Sequence, residues 1–199
     1  MKKIGITGTI ASGKTSVSIL LRRKGYRVFD CDGYCHILYQ KNNSCYEMIV
    51  SAFGNDILDE FEEIDRKAMA SLIFRDETKR KQLNSIVHPC VTEGMMRFFE
   101  NHPDEELLFA EVPLLFEAKM ESCFDDIVVV TCSKETAVKR MMKDRGYTEE
   151  EALRRYAAAV RPEEQIAKAG IVIYNDGSLS ELNDAEIDML EKLEEEHAA

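Results

Sequence analysis

Apolar and polar positions along the chain alternate between two kinds of pattern. Lys3–Thr7 is a short apolar run that closes at Gly8, as a buried strand does. From Thr15 to Leu21 apolar residues return at helical spacing until Gly25, so a helix is expected there. Tyr26–Phe29 then reads as a second strand, with Asp30-Cys31-Asp32 at its C-terminal end. Helical patterns follow over 45–53, 65–74 and 79–99, the last interrupted at His88-Pro89, where proline removes a backbone donor and restrains its predecessor. Leu107–Val112 and Ile127–Thr131 are nearly all apolar, as strands covered on both faces are. A charged helical stretch over 134–158 precedes a last strand, Ile171–Tyr174. The final helix, 179–196, gathers Leu182, Met189, Leu190 and Leu193 on one face and is expected to turn its acids to water.

Strand, loop, helix, strand at the start is a βαβ unit. Its continuation predicts an α/β fold, a doubly wound parallel sheet with a helical block inserted beside it. In such sheets ligands gather at the carboxyl ends of the strands, here Gly8, Asp30 and Glu111.

Composition narrows the function. With 199 residues, 45% hydrophobic and 32% charged, the chain suits one soluble globular domain. No segment approaches the roughly 18 apolar residues that cross a bilayer. The start, Met1 to Gly8, breaks at glycines before a secretory signal can form, so a cytoplasmic location is expected. The net charge of −11 is concentrated in eight acids between 181 and 196 against Lys192. Nucleic acid and anionic membranes are therefore not expected partners, and phosphate chemistry must use a local pocket. Cys31, Cys35 and His36 bring three soft ligands close together, but structural zinc sites show paired ligands. The six scattered cysteines read better as small buried apolar residues.

Gly8-Thr9-Ile10-Ala11-Ser12-Gly13-Lys14-Thr15 fits GxxxxGK[ST] between an expected strand and helix. Such a loop turns successive N–H groups inward and adds the positive end of a helix, so Gly8, Ala11, Ser12, Gly13 and Ser16 are nucleotide-binding candidates. Lys14 supplies a charge for the β and γ phosphates of ATP, and Thr15 a hydroxyl for Mg²⁺. Glu111 can approach the metal through water, or else cap a helix or pair with a cation. Asp32 reads equally as the base for an acceptor hydroxyl and as a helix N-cap, with Asp30 a support. Arg140, Arg145, Arg154, Arg155 and Arg161 form an arginine-rich region that suits either a phosphate-stabilising lid or a solvated helix face. His88 could bind the acceptor or cap a helix break. Tyr34, Tyr39, Phe53 and Phe98 read as packing, though aromatics near Asp32 could line an acceptor pocket.

Taken in order, these motifs resemble the dephospho-CoA kinases. The resemblance runs from Ile4 to about Leu179 through the P-loop, Asp30-Cys31-Asp32, Phe53-Gly54, Asp65-Arg66, Ile86-Val87-His88-Pro89, Val112-Pro113-Leu114-Leu115-Phe116-Glu117 and Asn175-Asp176-Gly177-Ser178-Leu179. It implies transfer of the ATP γ-phosphate to the ribose 3′-hydroxyl of dephospho-CoA, with Asp32 at the position of the family's base. It also implies three parts: a core (1–31, 106–133, 169–199), a helical acceptor-binding region (32–105) containing His88, and a lid (about 134–168). Lys14 and Arg140 would serve catalysis, Asn175 would lie by the adenine, and His88, Leu115 and Arg140 would meet the acceptor. A monomer or weak homo-oligomer is expected. The chain departs from the family's usual pattern at Glu111 (usually Asp), His36 (usually Arg), Asp144-Arg145 (usually Arg-Asp) and Ala159 (usually Gln). Other readings are a different P-loop small-molecule or nucleoside monophosphate kinase, and a nucleotide-binding regulator with weakened turnover.

Overall fold

The computed structural model describes residues 1–159 and 161–198. Five strands form one sheet: β1 (Lys2–Gly8), β2 (Arg27–Asp30), β3 (Leu107–Glu111), β4 (Asp126–Thr131) and β5 (Ile171–Tyr174). Their spatial order is β2-β3-β1-β4-β5. The pairs β1–β3, β1–β4 and β4–β5 are parallel, with Ile6 opposite Glu111 on one side and Val128 on the other. The chain therefore passes from β1 to the edge strand β2, returns to β3 beside β1, and then reverses to the other side through β4 and β5. This reversal puts the topological switch point at the carboxyl end of β1.

Nine helices accompany the strands among the described residues: α1 (Lys14–Arg23), α2 (Cys31–Leu38), α3 (Ser44–Phe53), α4 (Arg66–Arg75), α5 (Glu77–Glu100), α6 (Lys134–Arg145), α7 (Glu149–Ala158), α8 (Pro162–Ile166) and α9 (Leu179–Ala198). Two compact units result. One comprises residues 1–29 and 103–199, the other residues 30–102. In the first, α1 and α9 close over the sheet, with Val17, Leu21, Leu182, Met189 and Leu193 packed against Ile4, Phe109 and Val128. No helix among the described residues is long and apolar enough to cross a membrane.

The second unit corrects one expectation. The sequence pattern calls for a kink or a helix boundary at His88-Pro89; no boundary falls there, because α5 runs through Pro89 for 24 residues. An interior proline costs about 3 kcal/mol. Leu83, Val87, Val91, Met95 and Phe99 are buried along one face of this helix, and each such side chain returns roughly 1.5–3 kcal/mol, so packing outweighs the break. Next to the proline, Thr92 Oγ1 donates to the His88 carbonyl at 2.9 Å and Cys90 Sγ to that of Ile86 at 3.3 Å.

A second correction concerns α9. Its acids do not all face water: Glu186 is fully buried, and its Oε2 lies 2.9 Å from Lys24 Nζ of α1. Burial pushes the Glu186 carboxyl above its ordinary range although Lys24 pulls the other way. The six cysteines are free thiols, and Cys31, Cys45 and Cys132 are buried. Among the described residues no group of three or more His, Cys, Asp or Glu is arranged to hold a metal ion. Burial and the nearby Asp32 and Asp30 push the Cys35 thiol up to about 11, which opposes the thiolate that a metal needs.

Candidate active site

Between β1 and α1 the backbone curls at positions that exclude most side chains. Gly8 has φ +153°, and a Cβ there would lie 1.9 Å from the Val130 carbonyl oxygen. Gly13 has φ +92°, and its Cβ would fall 2.4 Å from Asn175 Nδ2. Ala11 adopts φ +56° without being glycine, a local strain the surroundings must hold. They do so from three sides. Asn175 Nδ2 donates to the Ser12 carbonyl at 2.7 Å, Arg140 Nη1 to the Ser12 and Ala11 carbonyls at 3.2 and 3.4 Å, and Thr9 N to the Val130 carbonyl at 3.1 Å. Ile10 and Ala11 also pack on Val138, Met141 and Ala152 of α6 and α7.

The chemical groups stand on this frame. Lys14 Nζ donates to the Gly8 and Thr9 carbonyls at 3.0 and 3.1 Å, which holds the ammonium over the loop. Thr15 Oγ1 donates to Glu111 Oε1 at 2.7 Å. Glu111 is 6% exposed and, among the described residues, neither caps a helix nor forms an ion pair. Ser12 Oγ is buried and has no hydrogen-bond partner among the described residues. A hydroxyl and a buried carboxylate, both hard oxygens, suit Mg²⁺. Ser16 lies in the first turn of α1, its N–H given to the Gly13 carbonyl at 2.9 Å.

Arg140 is anchored on the loop, with a further bond from Nη2 to Asn175 Oδ1 at 3.4 Å. Of the other arginines in this region, Arg145, Arg154 and Arg161 are exposed, and Arg155 lies over the Tyr147 ring at 4.3 Å. The Leu115 side chain is fully buried, its Cδ1 2.7 Å from where a Cβ on Gly5 would stand, so it packs in the core; Leu114 is the exposed member of that turn.

Asp32 and His88 belong to the helical unit. The two readings of Asp32 separate here, because Asp30 is the N-cap of α2, accepting the Gly33 N–H at 2.9 Å, while Asp32 sits exposed in the first turn. His88 is half-buried mid-helix, and burial lowers its pKa. Tyr34 packs against Gly94 of α5, where a Cβ would lie 2.2 Å from its ring.

Two further residues stand near the loop. Cys132, buried at the end of β4, points its thiol toward the Ala11 carbonyl at 3.9 Å, and burial raises its pKa against the pull of Arg140. Asp176 Oδ1 accepts from Ser133 N at 2.9 Å and Ser133 Oγ at 2.7 Å, which ties the start of α6 to the end of β5. Its place beside Asn175 was the available clue. A bond from the Thr136 side chain, with those from Ser133, holds its carboxyl below the usual range.

Comparison with known proteins places this geometry in a family. A family model described as dephospho-CoA kinase matches residues 2–181. A dephospho-CoA kinase of Bacillus cereus is 40% identical over 178 residues, covering 88% of this chain and 89% of that one. One of Listeria innocua is 37% identical over 195 residues, 96% of each. The crystal structure of TT1252 from Thermus thermophilus is 34% identical, covers 96% of this chain and 97% of its own, and superposes with a TM-score of 0.82. With that model spanning nearly the whole length and relatives of this identity matching almost end to end, the chain belongs to the dephospho-CoA kinase family.

Proposed function

We propose that this kinase transfers the γ-phosphoryl group of ATP to the ribose 3′-hydroxyl of dephospho-CoA, giving coenzyme A and ADP, the last step of coenzyme A synthesis, in the cytoplasm. Chief support comes from the conformation of residues 8–15, fixed by two glycines that tolerate no side chain and by bonds from Arg140 and Asn175. A loop held this way presents its N–H groups to a polyphosphate without reorganising at the moment of reaction.

Lys14 exchanges its two loop carbonyls for the β and γ phosphates, and Asn175 borders the adenine. Thr15 and Glu111 would hold Mg²⁺, which neutralises charge on the phosphate oxygens. Asp32, released from capping by Asp30, accepts the proton of the 3′-hydroxyl as its oxygen attacks the γ-phosphorus and the bond to the β–γ bridging oxygen breaks. His88 and Arg140 assist acceptor and phosphate binding respectively, and α6 to α8 serve as the lid that excludes water. Shorter by one methylene, aspartate would also serve at position 111, but glutamate reaches Thr15 directly here.

The test supplies ATP and magnesium with dephospho-CoA, shikimate or a nucleoside monophosphate and follows ADP and product mass. ADP formed only with dephospho-CoA, alongside coenzyme A, is expected. Turnover of a nucleoside monophosphate with dephospho-CoA inert would overturn the assignment.

A further inference from the structure

Gly94 lies inside α5, buried and with no positive φ to call for a glycine. In a helix interior it costs about 1 kcal/mol relative to alanine. The missing side chain is replaced by the ring of Tyr34 from α2: a Cβ on Gly94 would lie 2.2 Å from Tyr34 Cε1, 2.4 Å from Cζ and 2.7 Å from the phenol oxygen. An aromatic side chain two residues beyond Asp32 thus fills a notch in the longest helix of the unit.

Little else in α2 is buried. Of its eight residues only Cys31 and Leu38, at the two ends, are buried. Cys31, Tyr34 and Leu38 fall at i, i+3 and i+7, one stripe of the helix, so the ring in its notch is the middle contact that fixes how far α2 is rolled. The start of α2 is set separately. Asp30 caps the Gly33 N–H at 2.9 Å, and a Cβ on Gly33 would stand 2.8 Å from Asp30 Oδ2. At about 100° per residue, Asp32 lies about 200° round the helix from Tyr34. The ring that presses on α5 therefore turns the Asp32 carboxylate to the opposite, exposed side.

We propose that Tyr34 and Gly94 are positioning residues for the reaction: the ring seated in the notch sets the roll of α2 and thereby aims Asp32 at the acceptor hydroxyl. This rests on the function proposed above. A methyl group at position 94 would push the ring from 2.2 Å to the 3.4 Å of ordinary contact, a retreat of about 1.2 Å. Side-chain atoms stand about 5–6 Å from a helix axis, so as a roll this is about 12° and carries Asp32 through a similar arc. A misplacement of about 1 Å can cost about 10²-fold in rate.

The test measures kcat and KM for wild type, Gly94→Ala, Tyr34→Ala and Tyr34→Phe, each with Asp32 present and in an Asp32→Asn background. Gly94→Ala should lower kcat by about 10- to 100-fold and leave the KM for ATP unchanged. Tyr34→Ala, which empties the notch, should also lower kcat and carries the same test if Gly94→Ala fails to fold. Tyr34→Phe keeps the ring and should retain more kcat than Tyr34→Ala. In the Asp32→Asn background none of these changes should slow kcat further, because no base is left to aim. Wild-type kcat in Gly94→Ala or in Tyr34→Ala, or losses that multiply with that of Asp32→Asn as a merely structural role would give, would overturn the seat. Failure of the proposed function reads differently, as a normal kcat in Asp32→Asn or a wild type that forms no coenzyme A from dephospho-CoA.

Discussion

Replacing Lys24 by methionine leaves the buried Glu186 carboxylate without the ammonium that faces it at 2.9 Å. Breaking a buried pair from one side costs about 3–5 kcal/mol, because the remaining charge is dehydrated and uncompensated. The Lys24 side chain is 29% exposed and Glu186 0%, so water can reach the vacated side and the low end, about 3 kcal/mol, applies. For a chain of this size each kcal/mol moves Tm by roughly 2–4 °C, which gives a fall of about 6–12 °C. The loss should depend on pH. Burial already raises the folded pKa of Glu186, and the ammonium is what opposes that rise. A raised carboxyl stabilises the fold below its unfolded pKa and loses that contribution as pH rises through the folded value. Without Lys24 the folded value climbs further, so the deficit against wild type should be largest near pH 8 and shrink toward pH 5. Adding Glu186→Gln to Lys24→Met should restore most of the stability, since neither charge is then buried alone. Thermal melts of the three proteins between pH 5 and 8 measure this. A Lys24→Met melt equal to wild type at pH 8, or a deficit that does not change with pH, would refute the reasoning.

Further outcomes follow from the site. Asp32→Asn should lower kcat by roughly 10²-fold or more with the KM for ATP unchanged, measured by coupled ADP release; a normal kcat would remove Asp32 from the role of base. Gly13→Ala forces a β-carbon to 2.4 Å from Asn175 Nδ2 at φ +92°, and should raise the KM for ATP by about 10-fold, with a strain cost of about 1–2 kcal/mol visible in the melt. Because burial depresses the pKa of His88, the stability it contributes is present above about pH 6.5 and is lost as pH falls through the lower folded value. His88→Gln should therefore flatten part of the decline in Tm on acidification, and parallel wild-type and variant curves would contradict this.

The strands were legible because burial on both faces leaves a nearly unbroken apolar run, and Ile171–Tyr174 is found with the bounds expected. The curl of residues 8–15 was legible because such a backbone demands glycine at fixed spacing. Features set by distant contacts were not. Pro89 marks a break locally, but its helix is held by apolar neighbours on both sides of it. Asp30 and Asp32 are both good caps, and only the point where the strand ends selects Asp30. Leu114 and Leu115 differ by which one faces Gly5, a fact of register invisible in the run itself. Glu186 looks like its acidic neighbours until Lys24 is placed against it from another helix. The same holds for Arg140, whose bonds to the Ala11 and Ser12 carbonyls join residues more than a hundred positions apart.

The account depends most on a preformed triphosphate cradle at residues 8–15. Calorimetric titration of magnesium ATP into wild type and Lys14→Ala tests it most directly. Wild type should bind one nucleotide with measurable heat, and loss of the Lys14 ammonium should weaken that binding at least about tenfold, the worth of a charge-assisted bond. No heat from well-folded wild type, or equal affinity in both proteins, would contradict it.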